Sequence, residues 1–106
     1  MGASGGRRIF PAVMQLISFL VDYRMSVDQA IHQPRLDVSG TDSVTLDAAL
    51  ADYAETLGQQ FKTRTAYHGV QPALFACPNL IGRDRNTKLN SGAAYVTSPW
   101  AAVCAE

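Results

Sequence analysis

The sequence is short of charge. Only 17% of its residues are Asp, Glu, Lys or Arg, and nine basic residues balance nine acidic ones. With no basic excess there is no electrostatic footprint for nucleic acid. No aromatic residues interleave with the arginines of the two basic clusters, Arg7-Arg8 and Arg83-Asp84-Arg85. A stacking platform for single strands is therefore absent too. Cysteine is scarce: Cys77 and Cys104 form no CxxC pair, and neither His32 nor His68 stands at ligand spacing from them. That excludes the common zinc patterns. The two thiols read as small apolar residues and do not fix the redox compartment. Long hydrophobic runs are missing as well. The longest, Ile9 to Val21, is broken by Pro11 and Gln15, and it falls short of the roughly 20 residues a bilayer needs. No Gly-Lys-Ser/Thr follows the first glycines, so there is no Walker loop. The carboxylates are scattered singly, no Ser-His-Asp set can be assembled, and no repeat or linker divides the chain.

What is there suits one small α+β domain. The 106 residues are 47% apolar, and a chain of that size buries roughly 65% of its unfolded surface. It opens with MGASGGRRIFPAV. Arg7-Arg8 ahead of an apolar run resembles the front of a secretion signal, but DYRMSVDQ follows with no small-x-small cleavage site. The amides of Gly5 and Gly6 can also converge on an anion, because glycine permits the tight curl. That anion could be a phosphate at a helix start or the oxyanion of an acyl intermediate. A plain glycine turn is the third reading.

Pro11 suits the first turn of a helix, predicted to run to about Tyr23. Its polar residues Gln15, Ser18 and Asp22 form one narrow stripe, and the rest of its surface is apolar. Such a helix needs partners on more than one face, so in isolation an exposed apolar patch is expected. Ser26 and Gln29 make a capping-box pattern, and Pro34 stops the short helix behind it. RLDVSGTDSVTLD reads as two short strands around a turn where Gly40 is free to take positive φ. Asp47 can cap a third helix carrying Leu50, Tyr53, Ala54 and Leu57, with Gly58 as its stop. QFKTRTAY alternates as a half-buried strand. ALFAC reads as a short strand, another strand lies around Leu80-Ile81, and the tail gives little signal. His32 reads as a helix-end contact, His68 as a loop residue, and Arg35 as a structural anchor beside Pro34.

Gly2, Gly5, Gly6, Ile9, Asp22, Met25, Ala30, Pro34 and Arg35 keep a family order and approximate spacing over residues 1 to about 40. In these the chain resembles the C-terminal part of the small subunit of gamma-glutamyltranspeptidases. Ser4 stands where many members have proline, LDVSG replaces FHHQ after Pro34-Arg35, and LNSGAAYVTSPW lacks the Asp-Pro-Arg motif. These departures leave the acyl donor open, since the family includes relatives resembling cephalosporin acylases.

The resemblance implies part of an N-terminal-nucleophile hydrolase with an αββα sandwich. Residues 1–106 would then be a single partial domain. The catalytic threonine would be absent from this chain, and Gly5 and Gly6 would supply oxyanion-hole amides. No cofactor and no metal is implied. The expected partners are the missing N-terminal portion or large subunit and a gamma-glutamyl amide such as glutathione. The isolated chain would be inactive, and its location periplasmic or cytoplasmic in a bacterium. The competing expectations are a non-catalytic interaction module or pseudoenzyme remnant, and a small anion-binding domain.

Overall fold

The computed structural model describes residues 1–40, 42–68, 74–96 and 102. Two three-stranded sheets are joined through one apolar helix. The opening stretch is more ordered than a loop: Gly2–Ser4 forms β1. A 3-10 turn, Gly6–Arg8, then runs without a break into α1, Ile9–Val21. The helical run thus starts several residues before Pro11, with Gly6 itself left-handed at its head.

Helix α1 ends on a left-handed residue. The Met25 N–H donates to the Phe19 carbonyl at 3.0 Å, and Arg24 takes the left-handed conformation with φ 54. Glycine is the usual residue at that position. The Ser26 hydroxyl accepts from the Gln29 N–H at 3.1 Å, and the Gln29 carboxamide accepts from the Ser26 N–H at 2.9 Å. That reciprocal cap starts α2, Val27–His32, which ends at an extended Gln33 ahead of Pro34, as expected.

The first sheet has the order β1-β5-β6, with β5 at Cys77–Arg83 and β6 at Asn90–Ala94. All its pairings are antiparallel, and Ser4 stands opposite Cys77. The strand expected in ALFAC is displaced toward the C-terminus. Leu74 and Phe75 lie in a turn, Ala76 has φ 57, and pairing begins at Cys77. The core packs α1 and α2 against this sheet through Leu16, Ala30, Ile31, Leu80, Ala93 and Tyr95. Full burial of a side chain such as Leu16 or Ile31 is worth about 1.5–3 kcal/mol.

The second sheet has the order β2-β3-β4. Strands β2, Leu36–Asp37, and β3, Val44–Asp47, are antiparallel, while β3 and β4, Thr63–Ala66, are parallel. Gly40 keeps a negative-side φ; among the described glycines only Gly5 and Gly6 lie in the positive region. The β3–β4 crossover is a 3-10 segment, Ala48–Tyr53, followed by α3, Ala54–Gly58. Asp47 caps it as anticipated, its carboxylate accepting from the Ala49 N–H at 2.9 Å. The helix ends at Gly58 as expected, but without a left-handed cap: Gln59 remains right-handed, and the Leu57 carbonyl accepts from both Gln60 and Phe61.

Gln15 ties the two halves together. Its carboxamide accepts from the Leu36 N–H at 2.9 Å and donates to the Leu36 carbonyl at 2.8 Å. One side chain from α1 thus imitates a neighbouring strand for the edge of β2.

Candidate functional site

The Gly5-Gly6 turn sits where β1 ends and helical geometry begins. Each glycine is required for a different reason. Gly5 has φ 142, and a Cβ there would meet the Ala76 Cβ at 2.9 Å and its Cα at 3.0 Å. Contacts that short do not exist between real side chains, so any other residue forces β1 away from the start of β5. Gly6 has φ 60, with nothing within 4 Å of where its Cβ would stand. Its constraint is conformational, and its surroundings are open.

Among the described residues, neither amide donates to a backbone carbonyl in a turn or loop, whereas the Gly5 carbonyl accepts from Arg8 N–H at 3.3 Å. Two consecutive N–H groups therefore stand at the positive end of a helical run, the arrangement that favours an anion. Arg7 and Arg8 add positive charge in the same turn. Arg8 Nε lies 3.5 Å from the Asp37 carboxylate. That carboxylate is buried and also accepts from the Ser39 amide and hydroxyl. Asp37 thereby pins the helical turn that carries Gly6 to β2.

A second cluster lies between the sheets. Arg35 is completely buried; its Nη1 donates to the Ile31 carbonyl at 2.9 Å, and its guanidinium carbon sits 4.7 Å from the centre of the Tyr95 ring. The anchoring role expected of Arg35 is therefore what the structure displays. Among the described residues its Nε and Nη2 have no hydrogen-bond acceptor, and the ring face beside them provides a cation–π contact. His68 packs its ring 4.9 Å from Tyr95 and 4.5 Å from Phe75, and its Nδ1 is paired with the Asp47 carboxylate.

Burial pushes the His68 imidazole below its ordinary 6.5, the Asp47 carboxylate opposes that shift, and the Arg35 charge reinforces it. Burial likewise lowers Arg35 and raises the Tyr95 phenol. The Nε2 of His68 has no hydrogen-bond partner among the described residues. Among the described residues, no hydroxyl or thiol is hydrogen-bonded to it.

His68 lies in a loop as expected, but its pairing was not legible: nothing in the local sequence connects it to Asp47 or Tyr95. His32 makes the helix-end contact anticipated for it, with Nδ1 2.9 Å from the Asp28 carbonyl oxygen. Cys77 is half-buried and free, while Cys104 lies outside the described residues. Among the described residues no three His, Cys, Asp or Glu side chains converge as metal ligands, and no helix is long and apolar enough to cross a membrane. Two cavities, of about 370 and 270 Å³, flank the second sheet, and neither is lined by Gly5 or Gly6.

No family model matches the sequence, and no curated protein matches it. Solved structures do. An acivicin-inhibited gamma-glutamyltranspeptidase superposes with a TM-score of 0.72 at 22% identity, over 93% of this chain and 53% of that one. A cephalosporin acylase from Bacillus halodurans gives 0.80 at 20% identity, over 91% of this chain and 18% of that one. The transpeptidase CapD from Bacillus anthracis gives 0.77 at 16% identity, over 96% and 61%. The chain has the α+β fold that these enzymes share. In gamma-glutamyltranspeptidases that fold extends further, since this chain spans about half the length of the one it matches.

Proposed function

We propose that this chain is the C-terminal segment, residues 1–106, of a gamma-glutamyltranspeptidase-like enzyme of the N-terminal-nucleophile class, part of an αββα sandwich. Gly5 and Gly6 supply the amides of its oxyanion hole. The observation that carries this reading is the turn itself: Gly5 wedged against Ala76, Gly6 left-handed and open, and both at the head of a helical run.

In that reaction a threonine on the missing portion attacks the carbonyl of a gamma-glutamyl amide, and its own amine takes the proton. Charge then develops on the carbonyl oxygen. The Gly5 and Gly6 N–H groups are held in place by β1–β5 pairing and by the Arg8–Asp37 contact, and they stabilise that charge without reorganising. The likeness to the transpeptidases over more than nine-tenths of this chain supports the reading. The acylase likeness keeps other amide donors open.

The test is reconstitution with the polypeptide encoded upstream, assayed on a gamma-glutamyl anilide. The chain alone gives no turnover. The complex hydrolyses the anilide, and Gly6→Val lowers kcat by about 10²–10³ with little change in KM. A complex whose kcat is untouched by Gly6→Val removes the oxyanion role. A second reading, a small anion-binding domain, draws on Arg7 and Arg8 in the turn. It requires inorganic phosphate to raise the melting temperature and Gly6→Val to abolish the rise.

A further inference from the structure

Helix α1 has a finished face and an unfinished one. Pro11, Ala12 and Leu16 are buried, Leu16 in the core shared with α2 and the first sheet. On the opposite side Phe10, Met14, Ile17 and Val21 are 71%, 58%, 46% and 67% exposed. The steps of four, three and four place these side chains in one row along the helix. The polar residues of α1 do not interrupt that row. Gln15 turns to Leu36, and the Ser18 hydroxyl donates to the Asp22 carboxylate at 2.6 Å. At the helix start, β1 pairs only with β5 among the described residues, leaving its other edge open. An apolar row beside an unpaired strand edge is a surface awaiting a partner.

We infer that this row is the docking face for the portion of the enzyme that this chain lacks, and that an apolar element of that portion covers it. The inference rests on the fragment reading given above. Two observations choose this occupant over a second copy. Nearly half of the matched transpeptidase chain has no counterpart here, so there is material to cover the row. In contrast, two α1 rows facing each other would join four side chains from each copy, far below the roughly 20–30 residues a side of a stable interface. A partner that also adds a strand to the β1 edge reaches further than a second helix can.

The experiment co-expresses the full chain with the polypeptide encoded upstream of it and measures their affinity and mass. Met14→Glu and Ile17→Glu should each weaken the complex by tenfold or more, since each places a charge in an apolar contact. Arg85→Glu, on the exposed turn between β5 and β6, should leave it unchanged. Because both positions are solvent-facing in the free chain, the variants should keep the wild-type circular dichroism and melting temperature. Met14 should oxidise readily with peroxide in the free chain and be protected in the complex. Undiminished affinity in both variants, with Met14 still reactive in the complex, overturns the inference while leaving the fragment reading intact. A stable dimer of the chain alone that Met14→Glu dissolves overturns it in favour of a second copy. Failure of the wild-type chain to bind any upstream product overturns the fragment reading, and this inference with it.

Discussion

The two neighbouring glycines are not equivalent, and the difference is measurable. Gly5→Ala must open the contact with Ala76 and hold an alanine at φ 142; the expected cost is about 1–3 kcal/mol in urea unfolding. Gly6→Ala meets no neighbour and bears only the left-handed penalty, about 1–2 kcal/mol. The ranking, Gly5 above Gly6, checks the geometry directly. His68 makes a prediction of a different kind. Its pKa is lowered in the folded chain, so below about 6.5 the unfolded state binds more protons than the folded one. Stability therefore rises with pH across this region and is lost as pH falls from 6.5 through the folded value. Urea titrations at pH 7.5 and 5.5 should show the loss, and His68→Gln should flatten it.

Local elements were the most legible part of the sequence. The Ser26 cap, the Pro34 stop, the Asp47 cap and the hairpin preceding it depend on neighbours a few residues away, and each appears where the spacing puts it. What depends on distant partners was not legible. Strand β1 looked like a loop because its partner among the described residues lies more than seventy residues on, at Cys77–Asn79. The displaced start of β5 has the same origin: the close approach of Gly5 fixes Ala76 in a conformation that apolar patterning does not encode. Of the candidate site, the glycines stood out by composition, while the Arg8–Asp37 tie and the His68 pairing needed the fold. The C-terminus of α1 offers a test at this scale. Arg24 occupies a glycine position at φ 54, so Arg24→Gly should stabilise the chain by about 1 kcal/mol, read as a rise in the denaturation midpoint.

The whole molecule is elongated for its length. Its radius of gyration is 14.5 Å and its extents are 46 × 29 × 20 Å, against about 13 Å expected for a compact chain near 100 residues. One modest core serves α1, α2 and the first sheet. The second sheet is held by Gln15 and by the stack of Arg35, Tyr95 and His68. The patch expected from the composition of α1 is present. The isolated chain should therefore bind anilinonaphthalene sulfonate and show a scattering mass that climbs with concentration without settling at a dimer.

The pairing of β1 with β5 also has a consequence in time. Leu16 belongs to the same core cluster as Leu80, and α1 packs on a sheet that is complete only when β6 has been made. At about 5–20 residues per second, several seconds separate the synthesis of the helix from that of its cover. Throughout that interval the nascent chain displays a greasy helix on both sides at the ribosome exit. Its yield in a cell should depend on whichever co-translational chaperone holds that helix until the last strand arrives.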